Sequence, residues 1–208
     1  MRSLNSLDGA AINPPHRADF KKLLRLANAN HVDCVTDFDI REEWPILSEE
    51  TVINCCSPCL AGLKTGNLFS CKVDDKNELL RSVRELNRRL VPRGLRIMPV
   101  KITKTRALIY LYRPDRLEKD LADKTAAELL SERAYPVGCT ERCVAELIRR
   151  VRHEEDFPHE IGLFLGYPSE DVSGFIKHGA KNSKCVGTWK VYGDEAEAQK
   201  KFKLYKKC

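Results

Sequence analysis

Between Asp74 and Leu90 the apolar residues Leu79, Val83, Leu86 and Leu90 recur at spacings of four, three and four, while Arg81, Arg84, Arg88 and Arg89 fill the rest of the wheel. That period dictates an amphipathic helix whose apolar stripe must be covered by another layer. Pro92 and Gly94 stop it. Two β-rich runs follow, Leu95 to Ile102 and Ala107 to Arg113, separated by Thr103-Lys104-Thr105-Arg106. They predict a hairpin, with Pro99 favouring an edge position for the first strand because its ring nitrogen has no proton to donate.

The remaining punctuation is mainly helical. Ser48-Glu49-Glu50 offers a helix start, expected to yield before Pro58, where a second helix carrying Cys59, Leu60, Ala61 and Leu63 would begin and Gly66 would end it. Helices are expected from Pro114, Thr125 and Thr140, from Asp156-Phe157-Pro158 through Leu165, and from Pro168 through Lys177. Cys185 to Tyr192 reads as a strand. Asp194 and Glu197 stand in capping-box spacing before a last helix packed through Ala198, Phe202 and Tyr205. Helices outnumber strands without alternating with them, so the fold class is α+β: a small, mainly antiparallel sheet, the hairpin plus the late strand, covered by helices. Residues 1–46 read as a leader with one short helix from Asp19 to Ala29, and residues 47–208 as a single α+β domain.

Composition narrows the class of function. Of 208 residues, 42% are hydrophobic, and no run approaches the 18 or so consecutive apolar residues of a spanning helix. The first residues lack the apolar core of a signal peptide, so a cytoplasmic location away from membranes is expected. A net charge of +6 is small. Its local concentrations, Arg149, Arg150 and Arg152, then Lys200, Lys201, Lys203, Lys206 and Lys207, fit solvated helix faces with no interleaved aromatic platform, so nucleic acid is not the expected partner. A chain of this length buries a sufficient core without cross-links. The nine cysteines are an odd set without an export signal, which predicts thiols rather than a disulfide framework. Only one CxxC occurs, so no zinc ribbon is indicated, and an iron–sulfur cluster lacks support.

That CxxC, Cys56-Ser57-Pro58-Cys59, is the sharpest chemical feature. Placed at a helix N-terminus, Cys56 would be held as a thiolate by the free backbone donors and the helix dipole, and Cys59 would resolve a mixed disulfide. Core packing of both thiols is the competing reading. Phe157-Pro158-His159-Glu160 offers an imidazole and a carboxylate for acid–base work, although adjacent residues on a helix do not face each other, so His159 pairs better with a distant cysteine. Gly162 to Gly166 is no phosphate loop, since no GKS or GKT follows. Gly162 fits close helix packing and Gly166 a helix end. Asp171 sits where a first-turn carboxylate is expected anyway. Cys139 and Cys143 share a helical face as two ligands of an incomplete metal set. Trp189 and Tyr192 fit either core packing or stacking on a planar ligand such as a flavin or haem.

Four segments carry a resemblance: Cys56 to Phe69, Leu108 to Pro114, Phe157 to Pro168 (FPHEIGLFLGYP), and Gly187 to Tyr192. Together, across about residues 50–208 and in order, they resemble the bacterial family DUF 3793 of anaerobic Gram-positive organisms. The resemblance implies no defined reaction, only a loose association with anaerobic redox and iron handling. Two functions are therefore expected as alternatives. One is thiol redox or nucleophilic chemistry, with Cys56 attacking, Cys59 resolving, and His159 with Glu160 as acid–base groups. The other is a non-enzymatic module binding a metal, a planar cofactor through Trp189 and Tyr192, or a redox or iron-handling partner. If the two longest segments form one site, both helix N-termini should face one cleft, with Lys64 adding charge.

Overall fold

Ser48 opens the first helix by accepting a hydrogen bond from the Thr51 N–H at 3.2 Å, in a computed structural model that describes residues 45–154 and 156–208. The helix expected from Asp19 to Ala29 lies outside the described residues. Helix α1 spans Glu49–Leu60 and carries Pro58 inside its last turn rather than stopping before it. Gly62, at φ +75, is the residue that terminates it, a left-handed position suited to glycine. A turn then leads into strand β1, Gly66–Lys72. Two expectations fail here: there is no helix start at Pro58, and Gly66 begins a strand. An added Cβ on Gly66 would lie 2.7 Å from both Phe164 O and the Tyr110 ring, so only glycine lets the strand pass.

Helix α2, Lys76–Leu90, follows the periodicity and is capped by Asp75, whose carboxylate accepts from Asn77 N at 2.8 Å. A single 3₁₀ turn, Val91–Arg93, ends at Gly94 in the left-handed region. Strands β2, Arg96–Ile102, and β3, Arg106–Tyr112, form the expected hairpin. The sheet order is β1-β3-β2, all antiparallel, which puts Pro99 on an edge strand as expected; the register slips beside it, between Pro99 and Lys101. Strand β1 therefore takes the third place that the late strand was expected to fill.

Alternation along β3 builds two cores. Ala107, Ile109 and Leu111 face α1 and α2, joined by Val52, Cys56, Cys59, Leu79, Val83 and Leu86. Leu108, Tyr110 and Tyr112 face the other way. There they meet α3 (Pro114–Leu121), α4 (Lys124–Glu132), α5 (Thr140–His153), α6 (Ile161–Phe164) and α7 (Ser169–His178). The α+β class holds, with helices on both faces of three strands. The segment from Cys185 to Tyr192 folds instead into two short strands, β4 (Cys185–Val186) and β5 (Lys190–Val191), paired only with each other. They pack with α8, Glu195–Tyr205, in a small third core of Trp189, Val191, Ala198 and Phe202. Asp194 caps α8 through Glu197 N at 3.0 Å, as its spacing predicts.

Candidate functional site

The joint between α1 and β1 gathers the least ordinary chemistry. Cys56 and Cys59 are fully buried and occupy the last turns of α1, so they sit at the negative end of the helix dipole and not at its N-terminus. Arg113, fifty-four residues from Cys59, closes this end: its Nε donates to Cys59 O at 2.8 Å and its Nη2 to Leu60 O at 2.8 Å. Arg116 donates to Gly62 O. These guanidiniums add charged donors to carbonyls at and just beyond the helix C-terminus. The Leu63 and Lys64 N–H groups both donate to Pro58 O, and the Cys59 thiol donates to Thr65 O at 3.4 Å. Thr65 also hydrogen-bonds Asp120 of α3 through its hydroxyl.

Within this joint Lys64 is buried at 4% exposure, its Nζ 5.3 Å from the centre of the Tyr167 ring. Burial drives its ammonium down to about 8, opposed by the charges of Cys56 and Cys59. Burial in turn pushes the Cys56 thiol well above its usual range and Cys59 up to about 11. Each of the three therefore loses its charged form more readily than it would in water. Asn67, at the start of β1 and also buried, donates through Nδ2 to Cys55 O at 3.0 Å, while its Oδ1 has no hydrogen-bond partner among the described residues. A buried lysine, an orphaned acceptor and two buried thiols thus share one joint, an arrangement that structural packing alone rarely retains.

The two long signature segments do meet, and of the groups expected there Lys64 takes part. The Tyr110 hydroxyl donates to Phe164 O at 2.5 Å, Gly166 stands against Thr65, and Lys64 lies over Tyr167. His159 and Glu160 take no part. His159 packs edge-on against Phe175, with ring centres 5.1 Å apart. Glu160 is buried on the other face of β3, where it accepts from the Tyr135 hydroxyl at 2.9 Å and pairs with Arg133 and Arg150 at 3.7 and 3.6 Å. It is a satisfied structural carboxylate. The expectation of two helix N-termini at one cleft also fails, because α1 ends at this joint and α6 is only four residues long.

The aromatic pair is likewise occupied. Trp189 is 2% exposed, packed by Tyr167 and Phe202, and its Nε1 donates to the Asp171 carboxylate at 2.6 Å, so it offers no face to a planar ligand. Asp171 also accepts from the N–H groups of Tyr192 and Gly193 at 2.7 and 2.8 Å, which fixes the end of the β4–β5 hairpin. Tyr192 stacks on His178 with ring centres 5.7 Å apart. Among the described residues no group of three or more His, Cys, Asp or Glu is placed to hold a metal ion. The residues that sequence reasoning missed, Thr65, Asn67, Tyr110, Arg113 and Asp120, act through partners remote along the chain, and no local pattern announces them.

No helix among the described residues is long and apolar enough to cross a membrane. No curated protein and no solved structure matches the chain. One family model does, over residues 52–208, a span that begins inside α1 and takes in the Lys64 joint, both faces of the sheet and α8. The chain therefore belongs to the family described as protein of unknown function DUF3793.

Proposed function

We propose that the α1–β1 joint is the working centre of this protein, a buried dithiol of Cys56 and Cys59 that cycles slowly with its disulfide, with Lys64 as its base. The observation that carries this is the burial of Lys64 with two buried thiols three residues apart, which among the described residues are the side-chain charges acting on its ammonium. Cysteines three apart on a helix have Cα atoms roughly 5 Å apart, inside the range a disulfide spans. An amine that releases its proton at about 8 has a neutral fraction at physiological pH, and neutral Lys64 takes the first thiol proton. Exchange with a disulfide substrate then balances: two thiols become one disulfide, and the substrate leaves as two thiols. His159 and Glu160 have no part in this chemistry.

The test is the rate at which oxidised glutathione converts Cys56 and Cys59 to their mutual disulfide, followed by peptide mass in the wild type and in Lys64→Met. The proposal expects the disulfide to form and Lys64→Met to slow it by about tenfold or more. Equal rates would remove Lys64 from the chemistry. A pair that stays reduced in every glutathione buffer would remove the dithiol.

A further inference from the structure

On the far side of the sheet a second pair of thiols lies at a helix end of opposite polarity. Cys139 is the N-cap residue of α5, in extended conformation, and α5 has no side-chain cap bond. Cys143 stands one turn on, its N–H donating to Cys139 O at 3.0 Å. Both line a cavity of about 140 Å³ walled by Leu121, Leu130, Val137 and the Glu118 carboxylate. Cys139 is half-buried, and its thiol lies 3.8 Å from Glu141 Oε2. Cys143 is 2% exposed and donates weakly to Pro136 O at 3.4 Å. The cavity is thus lined by a half-buried sulfur and a buried one, with a carboxylate beside the first.

We propose that Cys139 and Cys143 form a peroxide-oxidised dithiol, with Cys139 attacking and Cys143 resolving. The Cys139 sulfur, its proton passed to Glu141, attacks a hydroperoxide oxygen. The sulfur–oxygen bond forms, the oxygen–oxygen bond breaks, and the alcohol or water leaves with the proton from Glu141. Cys143 then attacks the sulfenic sulfur, forming the disulfide and releasing water. Two thiols lose two electrons and one peroxide bond is reduced. The geometry permits the closure, since residues four apart on a helix have Cα atoms about 6 Å apart. The first turn of α5 has no side-chain cap on its N–H groups, and the cavity, walled by both apolar and polar groups, has room for a small uncharged oxidant. Burial raises the Cys143 thiol, with Cys139 adding to the shift, which fits a resolving thiol rather than an attacking one.

Treating the full chain with limiting hydrogen peroxide and dimedone, then digesting with trypsin, tests this. Arg142 lies between the two cysteines, so their peptides separate unless a disulfide joins them. The wild type should give the joined peptides, with Cys139 oxidised about tenfold faster than the exposed Cys208. Cys143→Ala should accumulate the dimedone adduct on Cys139, and Cys139→Ser should leave Cys143 a thiol. Oxidation of Cys139 no faster than Cys208, a wild-type sulfenate that never closes, or Cys143 oxidised equally in Cys139→Ser would each overturn the proposal. The wild-type arm stands even if a variant does not fold. A Cys56–Cys59 disulfide appearing without the Cys139–Cys143 one would overturn this site while leaving the α1–β1 centre intact.

Discussion

Cys56 and Cys59 sit near the end of α1, and Cys139 and Cys143 at the beginning of α5, so the same residue type meets opposite ends of the helix dipole. The first pair is closed by Arg113 on two helix carbonyls and by Arg116 on the Gly62 carbonyl just beyond, and shares its burial with a lysine. The second lines a cavity at a helix start that has no side-chain cap. Spacing alone ranks the CxxC first, because a redox motif is defined by separation. Burial and helix polarity predict the reverse order of reactivity, and both come from tertiary structure. A thiol pair is thus better judged by which end of a helix holds it, and by what covers that end, than by the number of residues between its members.

The comparison breaks most visibly at Lys64. In the unfolded chain a lysine keeps its proton to about 10.5, whereas Lys64 in the fold gives it up at about 8. Between those values the unfolded state binds more protons, so this group's contribution to stability rises with pH and is unfavourable below the window. The Cys59 and Cys71 thiols, raised to about 11, act in the opposite sense between about 9 and 11, because the fold keeps protons the unfolded chain has lost. Lys64→Met isolates the lysine. In urea titrations the variant should be the more stable at neutral pH, and its advantage should close by about 3 kcal/mol as pH rises from 8 to 10.5. An advantage constant with pH would mean that the ammonium is not held dry.

Arg113→Gln sharpens the comparison by unsealing α1. It leaves the Cys59 and Leu60 carbonyls without their charged donor and should cost about 1–3 kcal/mol in urea unfolding while speeding alkylation of Cys59. A stable variant with thiols still protected would show that Arg113 is not the seal. At the other end, Cys139→Ser installs a better N-cap on α5 and should stabilise the protein by about 0.5–1 kcal/mol, read as a raised unfolding midpoint. No gain would indicate that the α5 donors are already satisfied.

The parts legible in the sequence are those specified locally. The 3.6-residue stripe of α2, the β2–β3 hairpin with Pro99 at its edge, and the Asp194 cap each depend on neighbours a few residues away. Strand β1 was illegible because both its faces are buried: Asn67, Phe69, Ser70 and Cys71 all lie inside, so no alternation survives. The path of α1 through Pro58 was illegible for another reason. Proline near a helix start is a sound local signal, yet Pro58 lies in the last turn of α1, where its carbonyl accepts from Leu63 and Lys64 and the turn into β1 begins. In the site, Cys56, Cys59 and Lys64 stood out by residue type, yet the direction of the helix under them did not. Glu160 and Trp189 stood out as well, and their partners Tyr135 and Asp171 turn both into packing elements.

The most direct measurement is the order in which the cysteines of the native protein are alkylated at neutral pH, followed by mass spectrometry of each peptide. Cys139 should label among the first. Cys56 and Cys59 should label last, slower by on the order of a thousandfold, because their reaction must wait for the α1–β1 joint to open. Labelling of Cys56 as fast as Cys139, in protein that remains folded throughout, would contradict the account.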